Sequence, residues 1–70
     1  MHKDSVLTLK QWRNLRGYTQ AELSKCSGIS EKTIWNLEND NNCLLNSSFK
    51  TVFKIAKALD IKVANIFFTD

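Results

Sequence analysis

Apolar residues recur along this chain at three- and four-residue intervals, with polar positions between them. Leu9 and Trp12 open the pattern, Ile34 and Leu37 continue it, and Phe49, Val52, Phe53, Ala56 and Leu59 form its longest stripe. This is helical spacing. It predicts a first helix from Ser5 or Thr8 to Arg16, a second from Gln20 to about Cys26, and a third from Glu31 to about Asn39. A fourth starts after Ser47 or Ser48 and runs to about Leu59, and a short fifth covers about Val63 to Phe67. Between the third and fourth lies NDNNCLLNSS, whose Asn, Asp and Ser side chains bond to nearby backbone and favour turns. Lys50, Lys54 and Lys57 line the side of the fourth helix opposite its apolar stripe. They read as a solvated face, with Lys50, nearest the helix start, placed to meet a phosphate.

The boundaries carry their own chemistry. Thr8 with Gln11, and Thr19 with Glu22, have capping-box spacing: each Thr hydroxyl can accept from an orphan amide, and the Gln or Glu can reach back. Gly17 and Gly28 suit helix ends, because glycine takes the left-handed conformation without steric cost. Ser30 is the next N-cap. The stretch TQAELSKCSGISEKTIWNLE, Thr19 to Glu38, therefore reads as two short helices joined by a tight turn. On the second of them Ile34 and Leu37 turn inward, while Lys32, Asn36 and Asn39 lie on roughly the opposite side. A buried stripe backed by an outward row of hydrogen-bonding side chains is what reading a DNA major groove requires.

Composition narrows the alternatives. Seventy residues make one domain with a small core, and two glycines with no proline disfavour a hairpin-rich β protein. No apolar run approaches the roughly 18 residues of a membrane span. The start, MHKDSVLTLK, lacks the apolar region of a secretory signal, so a cytoplasmic protein is the expectation. Cys26 and Cys43 do not have metal-ligand spacing, and His2 is the sole histidine. No metal or other cofactor is expected, and the cysteines read as free thiols. The net charge of +3 is spread along the chain with no polybasic tail, so DNA affinity would come from many individual contacts. An enzyme is excluded: Glu22, Glu31 and Glu38 have structural uses, and there is no Gly-rich phosphate loop and no His beside a nucleophile.

From LKQWRNLRGYTQAEL through SGISEKTIWNLE to FKIAKALDIKVANIF, the chain resembles the Cro/C1-type helix-turn-helix family, also called the XRE family, of bacterial and phage regulators. The resemblance runs from about residue 9 to 67, with the helix-turn-helix at about 20–39. It implies an all-α, five-helix, lambda-repressor-like domain, residues 1–70 forming a single unit. It places the second helix across the DNA backbone and the third in the major groove. By position, Arg13 and Glu38 match a partly buried ion pair joining the first and third helices, with Arg13 also near phosphate. Glu31, Lys32 and Asn36 match the main base-reading positions. Lys32 can donate to guanine, Asn36 can pair with adenine, and Glu31 can accept from cytosine or simply complement the helix dipole. Thr19, Gln20, Ser30, Thr33 and Asn39 fall near the DNA backbone, Gln20 at a helix start that is a ready anion site. Trp35, lateral to the core stripe, can pack on the loop or the fourth helix, or meet a thymine methyl. Trp12 is core.

The departures from the family pattern also matter. Ser24 stands where Ala is usual and Ser27 where a buried apolar residue is common. The turn after the third helix is about three residues longer than usual. It reads Asn39, Asp40, Asn41 and Asn42, without the cations that usually approach phosphate. Double-stranded DNA is the expected partner, bound as a homodimer on a two-fold operator by a repressor, with Phe68 the freest apolar residue for the dimer contact. No small-molecule ligand is implied. The alternative is an antitoxin-like module that masks a partner protein, a role some members of the family have.

Overall fold

The computed structural model describes residues 5–68. Its helices are α1 (Leu9–Leu15), α2 (Gln20–Ser27), α3 (Glu31–Asn39), α4 (Asn41–Leu45) and α5 (Phe49–Ala58), followed by one 3-10 turn, Val63–Asn65. The all-α class expected from the sequence is the one observed. Each of the first three helices starts where its cap residue lies. Thr8 settles the start of α1: its Oγ1 accepts the Gln11 amide at 3.2 Å, while the Gln11 side chain accepts the Thr8 amide at 2.9 Å. The same reciprocal pair joins Thr19 and Glu22. Gly17 and Gly28 hold φ of 78° and 77°, the left-handed turn that lets one helix stop and the next begin.

One core takes side chains from every helix. Leu9 and Trp12, Leu23, Ile34 and Leu37, Leu44, then Val52, Ile55, Ala56 and Leu59, and finally Ile66, are all buried. α2 packs on both α3 and α5, so the helix-turn-helix is seated on the longest helix. Trp12 also closes the far end, its indole N–H donating to the Asn65 carbonyl at 2.7 Å. Arg16 lies over the Trp12 ring and donates to the Leu59 carbonyl at 2.8 Å, tying α1 to the end of α5. Leu7 and Ile66 form a parallel bridge. In it the Leu7 amide donates to Asn65 at 3.1 Å and the Phe67 amide to Leu7 at 2.8 Å.

Three expectations need correction. The polar segment after α3 is not all turn: Asp40 caps a helical turn by accepting the Asn42 and Cys43 amides, and Leu44 buries itself in the core. Phe49 and Phe53 are not core residues. Both are exposed, and Ile55, fully buried, fills the place expected of them. The last element is shorter than expected, because after Asn65 the chain turns extended to pair with Leu7.

Candidate nucleic-acid interface

α2, the turn and α3 set out the surface. The Gly28 amide donates to Ser24 at 2.9 Å, closing α2. Ser27, where an apolar residue was expected from the family pattern, uses its hydroxyl to accept the Ile29 amide at 3.2 Å. The polar residue therefore fixes the turn. Ser30, extended at φ −61° and ψ 151°, begins α3. Its Oγ accepts the Thr33 amide at 3.2 Å and donates to the Thr33 hydroxyl at 2.9 Å. The two hydroxyls thus stand together at the N-terminus of α3, where amide dipoles favour an anion.

Along α3, Ile34 and Leu37 are buried, and Glu31, Lys32, Trp35 and Asn39 are exposed. Asn36 and Thr33 are half-buried. The row expected to face outward does so, with Asn36 set at its edge. Asn39 donates its side-chain amide to the Trp35 carbonyl at 2.9 Å. Trp35 is 54% exposed, so much of it faces solvent. Lys50, second residue of α5, is exposed.

Beneath this surface lies a buried polar junction. Arg13 donates from Nε to Glu38 Oε2 at 2.6 Å and from Nη2 to Oε1 at 3.1 Å, and its Nη1 donates to the Tyr18 carbonyl at 2.8 Å. Donating to the Glu38 carboxylate raises the Arg13 guanidinium above its ordinary value, against the lowering effect of burial. Only 10% of the Arg13 side chain is exposed, which turns its donors inward rather than toward a phosphate. Gln20 joins the same junction, its Nε2 donating to Glu38 Oε1 at 3.1 Å. The Gln20 side chain thus anchors α2 to the end of α3, and Thr19 and Ala21 on either side of it are exposed. That link was not read from the sequence.

Among the described residues no group of three or more His, Cys, Asp and Glu is placed to hold a metal, and His2 lies outside them. Cys26 and Cys43 are free thiols. No helix of the described residues is long and apolar enough to cross a membrane.

Comparison with known proteins agrees with this geometry. A family model described as Helix-turn-helix matches residues 9–66. The chain is 40% identical over 55 residues to the antitoxin HipB of Escherichia coli O6:H1, covering 79% of this chain and 55% of that protein. It is 39% identical over 59 residues to MJ0272 of Methanocaldococcus jannaschii, described as an uncharacterized HTH-type transcriptional regulator, covering 84% of this chain and 85% of that one. HipB of Escherichia coli K12 is 38% identical over 55 residues, 79% of this chain and 59% of its own. The chain thus spans a little over half the length of the HipB proteins. No solved structure gave a match. With a capped α2, a left-handed glycine turn, an α3 that buries one stripe and exposes the other, and a family match across nearly all of these elements, the chain belongs to the helix-turn-helix family of Cro/C1 (XRE) type DNA-binding regulators.

Proposed function

We propose that the protein is a sequence-specific transcriptional repressor that binds a two-fold operator as a homodimer, with α3 in the major groove. The observation that carries this reading is the division of α3. Ile34 and Leu37 lock one side into the core, and Glu31, Lys32 and the edge residue Asn36 stand ready for base edges on the other. Lys32 donates to guanine, Asn36 pairs with adenine and Glu31 accepts from cytosine. Thr19, Gln20, Ser30, Thr33 and Asn39 hold the backbone, Gln20 through its backbone amide. Trp35 offers its ring to a thymine methyl.

Two copies are favoured because one module of this size reads few bases. The domain measures 29 × 27 × 19 Å, so neighbouring copies fit half-sites about 34 Å apart, one helical turn of DNA. Phe68 is exposed next to the Leu7–Ile66 bridge, as are Val6 and Phe67, and this pole of the molecule supplies the dimer contact. A dimer seated on a promoter occludes it. Such a protein works in the cytoplasm, where its DNA is.

Selection from a random duplex pool at near-physiological salt tests the reading. A retained palindrome with half-sites about one turn apart supports it; retention without sequence preference refutes it. A second reading, that the protein masks a partner protein, is favoured by the two relatives that carry the name antitoxin HipB. Co-purification of a neighbouring gene's product in a stoichiometric complex would favour that reading.

A further inference from the structure

The helix-turn-helix leaves the outer face of α5 unused, and that face has an unusual make-up. Phe49 and Phe53, four residues apart, stack on each other with ring centroids 5.7 Å apart and planes inclined by 21°. They do so in solvent: 69% of Phe49 and 48% of Phe53 is exposed. At about 100° per residue the two rings border the buried stripe of Val52 and Ala56, and Lys50, Lys54 and Lys57 follow on their other side. α5 carries no carboxylate. The one ion pair among the described residues is Arg13–Glu38, so none of the three lysines has an acidic partner there.

We propose that this face docks a protein partner through a segment that combines apolar side chains with carboxylates. The apolar side chains pack on the Phe49–Phe53 pair and the carboxylates meet Lys50, Lys54 and Lys57. The inference goes beyond the DNA-binding reading and does not depend on it. Charge and area select the occupant. The two rings expose on the order of 200 Å², well under the roughly 800 Å² per side of a standard interface. They serve as an anchor and need the flanking charges for the remainder. A second copy packed with its α5 antiparallel across the ring pair would bring lysines against lysines around that anchor, the like-charge arrangement that specific interfaces avoid. A DNA backbone would satisfy the lysines and leave the stacked rings without an apolar counterpart. An acidic segment with apolar side chains meets both requirements.

The test uses the full 70-residue chain and a displayed library of random peptides as the probe. Retained peptides should combine Leu, Ile, Phe or Trp with several Asp or Glu. Their affinity, read by fluorescence polarisation, should fall about tenfold or more in Phe49→Ser/Phe53→Ser, and by as much in Lys50→Glu/Lys54→Glu. All four positions are exposed, and an unchanged melting temperature checks that each variant folds; the charge-reversed variant leaves both rings in place. Several results would overturn the proposal. One is that no peptides are enriched, or that those enriched lack acidic residues. Another is peptide affinity that ignores the phenylalanines. A third is a wild-type dimer that becomes monomeric in the Phe variant, which would assign the face to a second copy. A fourth is loss of DNA affinity in the Phe variant, which would assign it to DNA.

Discussion

Glu38 receives two hydrogen bonds from Arg13, at 2.6 and 3.1 Å, and so ties the last turn of α3 to α1. The pair is shielded from water, with Gln20 and the Tyr18 carbonyl completing its partners. Removing one member of such a pair leaves the other charge buried and uncompensated. Glu38→Ala should therefore cost about 3 kcal/mol, lowering the melting temperature by more than about 10 °C in a chain of this size. The preferred DNA sequence should stay the same. Thermal melting followed by circular dichroism checks it; an unchanged melting point would show that the pair contributes nothing.

Lys32→Ala and Asn36→Ala should leave the fold intact. Lys32 is exposed and Asn36 sits at the edge of the outward face. Each should relax preference at one base pair, at roughly 1–3 kcal/mol. Binding to operators varied one position at a time is the readout. A loss spread evenly over all sequences would move the residue from base reading to phosphate contact.

Asp60 holds a left-handed backbone, φ 58°, where a side chain is strained and glycine is not. Its local contacts are backbone ones: its amide donates to Lys57 at 3.1 Å and its carbonyl accepts from Arg16 at 3.5 Å. Asp60→Gly preserves both. Relief of strain should outweigh the added freedom of the unfolded chain and raise stability by about 0.5 kcal/mol. Asp60→Val should lower it, since a branched side chain tolerates this conformation least. Urea midpoints for the two variants should move in opposite directions.

The Glu22 carboxylate, accepting the Thr19 amide and paired with its hydroxyl, is held below its ordinary value of 4.5. A carboxylate whose value is depressed on folding stabilises the fold above its unfolded value, and that contribution is lost as pH falls through the lower, folded one. The melting temperature of the wild type should therefore drop on acidification below about pH 4.5 more steeply than that of Glu22→Gln, which cannot titrate. Parallel acid limbs would remove Glu22 from the account.

What the sequence revealed, it revealed through local chemistry. Thr8, Thr19 and Ser30 mark three helix starts and Gly17 and Gly28 two ends, because a cap acts within one turn of itself. The parts that were hidden depend on distant partners. The segment around α4 reads as turn from its Asn and Asp density, and it is helical because Asp40 caps it and Leu44 has a core to enter. On α5 the apolar arc is broader than the buried one. Spacing alone allowed Phe49 and Phe53 to be chosen over Ile55; packing against α2 decides for Ile55. The extended path after Asn65 is set by Leu7, at the other end of the chain. At the interface, the outward position of Lys32 followed from periodicity, but the capture of the Gln20 amide by Glu38 needed three helices in place.

The bridge between Leu7 and Ile66 also decides how the molecule carries load. Because the two segments run parallel, tension applied between the chain ends drags them past each other lengthwise. The hydrogen bonds of Leu7 and Phe67 then resist together instead of peeling one at a time. The ends form a clasp in shear, and until it slips the helices behind it feel little of the force.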